Sequence, residues 1–175
     1  MPRRKPLSLE KQRHAVAKYL RLLNAKLVDR SHRLKYRFSP MDIGVAPNGV
    51  GHILVPSRLS FEKVGPNSLP IGLVFPDGSF LCFKEIVRFD YRDDAATEPS
   101  VFCLSYSFHY QRPGDLYFFR YDHHPEVGLD ECHPLHHLHV AHWHEGATTL
   151  PESPRFTVPE TPLDQVLHVI EHHFL

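Results

Sequence analysis

The 175-residue sequence predicts an α+β domain, an antiparallel β-sheet of about five strands with N- and C-terminal helices packed on it. Three observations lead there. Apolar residues recur at three- and four-residue steps near the start of the chain, period-two stretches separated by turn sequences fill its middle, and a capped amphipathic segment closes it. Short turns between consecutive strands require antiparallel pairing, because a parallel pair needs a long crossover.

Taken in order, Ser8 is a suitable N-cap for a helix over residues 8–30, with Val16, Leu20, Leu23 and Leu27 on one face and Lys11, Lys18, Arg21 and Lys26 largely on the other. Residues 39–70 form a Pro/Gly-rich insertion that interrupts any long element and holds a short strand at Ile53–Val55. The sheet spans residues 71–143. Its first hairpin joins Ile71–Phe75 to Phe80–Phe89 through Pro76-Asp77-Gly78-Ser79, residues that favour a tight turn. Val101–Gln111 follows, with Leu104, Tyr106, Phe108 and Tyr110 alternating against Ser105, Ser107 and His109. After the turn Arg112-Pro113-Gly114-Asp115, the strand Leu116–Asp122 sends Tyr117, Phe119 and Tyr121 one way and Phe118, Arg120 and Asp122 the other. In Leu135–Trp143 the same period puts His137 and His139 on one face and His136, Leu138, Val140 and His142 on the opposite one. Thr161-Pro162-Leu163-Asp164 predicts a helix over residues 161–173, with Thr161 as cap and Pro162 in the first turn.

A chain of this length with 42% apolar residues buries one core, so residues 1–175 are expected to be a single domain. Cys82, Cys103 and Cys132 form no paired framework, which points to a reducing, cytoplasmic setting. No apolar run reaches the roughly 20 residues that span a bilayer, so no membrane partner is expected. The zero formal net charge conceals a split: residues 1–37 carry 12 of the 20 Lys and Arg but only two of the 20 acids, giving +10 there and −10 over the rest. Lys18, Arg21 and Lys26 are therefore candidates to bind RNA phosphates, and the alternative is docking on an acidic partner or on the acidic body of the same chain.

The stretches PDGSFLCFKEIV (Pro76–Val87), LSYSFHYQ (Leu104–Gln111), FFRYDHHP (Phe118–Pro125) and HPLHHLHV (His133–Val140) occur in this order across roughly half of the sequence. Together they resemble the TumE family of bacterial toxins. The resemblance implies the toxin half of a toxin-antitoxin pair, ribonuclease-like, with a cognate antitoxin and RNA or the ribosome as partners.

Cleaving RNA without a metal needs a base for the 2′-hydroxyl, an acid for the leaving 5′-oxygen and a cation for the charge growing on phosphate. Imidazole titrates near neutrality and guanidinium stays charged. Arg120, Asp122, His137 and His139 supply such a set, with Asp122 orienting an imidazole, and Glu85 and Tyr121 stand in reserve. Eight of the 15 histidines fall between His123 and His144, too dense a group for ordinary surface residues. The expected function is a metal-independent endoribonuclease toxin with no cofactor. One alternative is a metal-binding hydrolase using donors from Asp122, His123, Cys132, His133, His137 and His139, although their spacing matches no fixed motif. The other is a non-catalytic module that binds RNA or protein.

Overall fold

The computed structural model describes residues 7–30, 33–35, 42–45, 50–55, 72–93, 95–125, 134–144 and 154–175. The chain runs α1 (Leu9–Val28), β1 (Asp42–Val45), β2 (Val50–Val55), β3 (Leu73–Val74), β4 (Phe80–Asp90), β5 (Ser100–Arg112), β6 (Tyr117–His123), β7 (His136–His142), β8 (Arg155–Thr157) and α2 (Leu163–His173). The strands make one sheet in the order β1-β2-β4-β5-β6-β7-β8, and β3 pairs with β4. Every pairing is antiparallel. The α+β architecture expected from the sequence is present, and β1 and β8 extend the sheet beyond the expected strands. Of the 39–70 insertion, β1 and β2 are described, and the remainder lies outside the described residues, as do Cys132 and His133.

The turn chemistry sets the registers. In the β3–β4 hairpin, Asp77 Oδ1 accepts from Ser79 N at 2.9 Å and Ser79 Oγ at 2.6 Å, while Gly78 takes φ +87°. Gly72 (φ +82°) passes so close to β4 that a Cβ would sit 2.2 Å from the Leu81 carbonyl oxygen, which only glycine avoids. At the β5–β6 turn, Leu116 adopts φ +58°, so β6 starts one residue later than its apolar pattern suggests, at Tyr117. A bulge opposite Ile86–Val87 leaves Leu104 without a partner on β4. It reverses the alternation expected there, so that Val101 and Cys103 line the same cavity as Tyr106 and Phe108.

Both helices lie on one face of the sheet. Ser8 caps α1 as expected, its hydroxyl accepting from Lys11 N at 3.3 Å. Ala15, Leu23 and Leu27 from α1 join Leu163, Val166, Leu167 and Ile170 from α2 and Leu81, Phe83, Val87, Phe108, Tyr110 and Phe119 from the sheet in a single core. Each such large apolar side chain contributes about 1.5–3 kcal/mol on burial. At the start of α2 it is Pro162, not Thr161, that holds the cap position, and among the described residues no side chain caps the helix. Thr161 instead donates its backbone N–H to Tyr106 Oη at 3.0 Å and its hydroxyl to the Pro159 carbonyl at 2.9 Å. Among the described residues, no helix is long and apolar enough to cross a membrane.

Candidate active site

The face of the sheet opposite the helices carries the polar residues. The registers align Lys84, Ser107, Asp122, His137 and Thr157 in one row across β4 to β8, and Cys82, His109, Arg120, His139 and Arg155 in the next. Period two then brings these side chains out on one side, so two adjacent rows converge where β5, β6 and β7 meet.

Asp122 is the hub. Its side chain is 4% exposed, and Arg120 Nε lies 2.8 Å from each carboxylate oxygen. The Ser107 hydroxyl donates to Oδ1, and His124 Nε2 lies 3.5 Å from the same oxygen. Oδ2 faces two imidazoles, His139 Nε2 at 3.6 Å and His137 Nε2 at 3.9 Å. The two rings meet edge to face with centroids 4.9 Å apart. His137 Nδ1 donates to the Pro134 carbonyl oxygen at 2.8 Å, which fixes the ring and turns Nε2 toward Asp122.

The electrostatics follow from this packing. Burial works to raise the Asp122 pKa, but the His124 hydrogen bond, the Arg120 charge and the Ser107 hydroxyl together hold it well below the usual carboxylate range. Asp122 is thus ionised at neutral pH. Burial drives the His139 imidazole down to about 4, opposed by Asp122 and assisted by the charges of Arg120 and Arg155. At neutral pH His139 is an uncharged base beside a carboxylate.

Arg120, Asp122, His137 and His139 are thus brought together, as the alternation in the sequence predicts. Glu85 is not with them. It lies on the helix-covered face, accepts from Tyr19 Oη at 2.6 Å, and has its pKa raised by burial. Tyr121 packs against the core on that same face. His123 is there too, stacked on His136 at 4.2 Å between centroids, with both rings against Tyr106. Lys18 and Lys26 project from α1 and pair within the chain, with Glu98 at 2.8 Å and Asp164 at 2.5 Å. Arg21 is exposed on the same helix. The basic face of α1 therefore sits across the sheet from Asp122, and Lys18 and Lys26 on it dock on acidic residues of the same chain. Ser107 and His124 were not singled out from sequence. Ser107 was within reach of it, because alternation with Tyr106 and Phe108 already assigns Ser107 and His109 to the polar face.

A family model described as "Toxin TumE" matches residues 51–174, which include the whole Asp122 centre and the C-terminal helix. No curated protein and no solved structure matches the chain. The chain belongs to the TumE toxin family.

Proposed function

We propose that this member of the TumE toxin family poisons its host by cleaving RNA at the Asp122 centre, without a metal cofactor, until a cognate antitoxin covers it. The observation that carries the reading is an ionised carboxylate that holds a guanidinium at 2.8 Å and faces a neutral imidazole at 3.6 Å.

His139 Nε2 takes the proton of a ribose 2′-hydroxyl, and the new imidazolium is stabilised by Asp122 at 3.6 Å. The 2′-oxygen bonds to phosphorus, the bond from phosphorus to the 5′-oxygen breaks, and the products are a 2′,3′-cyclic phosphate and a 5′-hydroxyl. Arg120 supplies positive charge for the phosphate oxygens as that bond order changes. His124 lies on the other carboxylate oxygen, with 35% of its side chain exposed. It is the group placed to return a proton to the leaving 5′-oxygen. His137, 1% exposed and with Nε2 3.9 Å from Asp122 Oδ2, lies behind the centre instead of meeting substrate.

The test is cleavage of a short RNA by the purified chain, followed by analysis of the product ends. The expected result is a 2′,3′-cyclic phosphate and loss of cleavage when a single 2′-deoxy residue stands at the scissile step. Cleavage that survives the deoxy substitution would rule out the 2′-hydroxyl mechanism. A toxic chain that leaves RNA intact would favour the binding-module reading.

A further inference from the structure

We propose that Asp122, His137 and His139 also form a three-donor site for one divalent cation of the zinc class. The three potential ligand atoms all lie within 4.8 Å of one another. Two of the three separations, 3.6 and 3.9 Å, are already near the about 3.3 Å that tetrahedral ligands at 2.0–2.1 Å from zinc keep between themselves. A small adjustment of one imidazole completes the geometry.

The strand register makes this arrangement stiff. His137 and His139 are i and i+2 on β7 and share a face, and Asp122 stands directly opposite His137 on β6. Two of the three donors are also oriented from behind, as metal ligands usually are. The Pro134 carbonyl fixes the His137 tautomer so that Nε2 carries the lone pair, and Ser107 holds Oδ1 of the carboxylate whose Oδ2 faces both rings. Two imidazoles and one carboxylate leave a fourth position, and the 18% exposure of the His139 side chain gives it a route to solvent.

Arg120 selects among cations. Its guanidinium, 2.8 Å from the carboxylate, weakens Asp122 as a ligand, so affinity must come chiefly from the two nitrogens. That favours zinc, cobalt or nickel over magnesium, which requires oxygen ligands. Coordination would occupy the His139 lone pair that accepts the proton in the proposed cleavage. The metal-loaded chain is then the silent form, a consequence that rests on the cleavage reading.

Zinc and cobalt binding by chain purified without a metal-affinity step tests the site, by calorimetry for zinc and by the visible absorption of cobalt. The comparison is among the unsubstituted chain, His139→Gln, and a His168→Gln/His172→Gln control. The control removes an exposed pair on α2 whose rings are 4.1 Å apart and which would hold zinc without any built site. One zinc retained by the control and weakened in His139→Gln by at least the about 10–100-fold that a lost outer-shell partner costs is the expected result. Equal affinity in His139→Gln, or loss confined to the control, overturns the proposal. If His139→Gln fails to fold, the cobalt spectrum of the unsubstituted chain decides, and absence of nitrogen-ligand bands overturns it. RNA cleavage is scored separately. Zinc bound through His139 in a chain inert toward RNA leaves the metal site standing and removes the cleavage reading. Cleavage that zinc neither binds nor slows does the reverse.

Discussion

Glu85 and Asp122 are two buried carboxylates of one sheet that open onto opposite faces and are pushed in opposite directions. Glu85 lies among core residues with Tyr19 Oη as its hydrogen-bond donor, and burial raises its pKa. Asp122 gathers Arg120, Ser107 and His124, and its pKa is lowered despite deeper burial. Environments that drive two like groups apart suit them to different tasks, and the proposed cleavage uses Asp122 and not Glu85.

Glu85→Gln should leave toxicity unchanged and raise the melting temperature at pH 7. The amide keeps the acceptor for Tyr19 while removing a charge that burial disfavours. Because the folded pKa lies above the unfolded one, the wild-type penalty exists at pH values above the carboxylate range and fades as pH falls and the carboxyl protonates in both states. The gain from Gln should therefore shrink in acid. Thermal melts at pH 7 and pH 4 check the sign, and a loss of toxicity in a well-folded Glu85→Gln would return Glu85 to the catalytic list.

Asp122→Asn and His139→Gln should fail in different ways. Removing the charge beside Arg120 strips one partner from a buried pair, which costs about 3–5 kcal/mol, so Asp122→Asn should melt markedly lower as well as lose toxicity. His139 is partly exposed, and its loss should cut RNA cleavage by about 10²–10⁴-fold with a much smaller change in stability. Circular-dichroism melts run beside growth assays separate the two. A His139→Gln chain that is folded and fully toxic removes the base from the proposed mechanism.

Stability should fall between about pH 6.5 and pH 4 because of His109. Its ring is buried beside Phe118 and engages Gln111 Oε1 at 3.1 Å, and burial drops its pKa to about 4, with a smaller downward contribution from Arg120 and an upward one from Asp122. The folded pKa lies below the unfolded value near 6.5, so the unfolded chain binds the proton first and stability is lost as pH falls through that window. A shift of this size corresponds to at most about 3 kcal/mol. Replacing His109 by Gln should flatten the acid limb of a plot of stability against pH, and an unchanged limb would assign the acid sensitivity to other groups.

The basic face of α1 should matter more for solubility and docking than for the chemistry. Lys18 and Lys26 form exposed pairs with Glu98 and Asp164, of a kind worth about 0–1 kcal/mol, and charge that is neutralised within the chain attracts phosphate less. Substituting Lys18, Arg21 and Lys26 by Gln should lower the salt slope of RNA binding by less than the full ~0.7 per residue expected of direct contacts to a single strand. A full drop in slope would show that RNA reaches across to the helix face.

How much of this was legible in the sequence depended on whether a contact is set by local alternation or by distant pairing. Arg120, Asp122, His137 and His139 were legible because each is assigned a face by period two on adjacent strands. The face that Glu85 takes was not legible because β4 is apolar on both faces. Phe80 and Cys82 are as buried as Leu81 and Phe83, so the pattern does not say which side Glu85 takes. The bulge at Leu104 could not be seen, since an extra residue in a polar-apolar alternation looks like any other. Nor could the partners of Lys18 and Lys26, which lie 80 and 138 positions away.

That last separation has a consequence in time. From β4 to β8 each strand pairs with the next one in the sequence, so this part of the sheet grows by closing short loops as the chain emerges. The end of α1 is different: Leu22, Leu23 and Lys26 share a cavity with Thr161, Pro162 and Leu163, and Arg30 reaches Glu171 at 3.2 Å. During synthesis the first helix must hold its apolar stripe unfinished until the last helix is made. The contacts of Asp122 with Ser107, Arg120, His137 and His139 need only β5, β6 and β7, so the face used in the proposed cleavage can be assembled before the rest of the protein is folded.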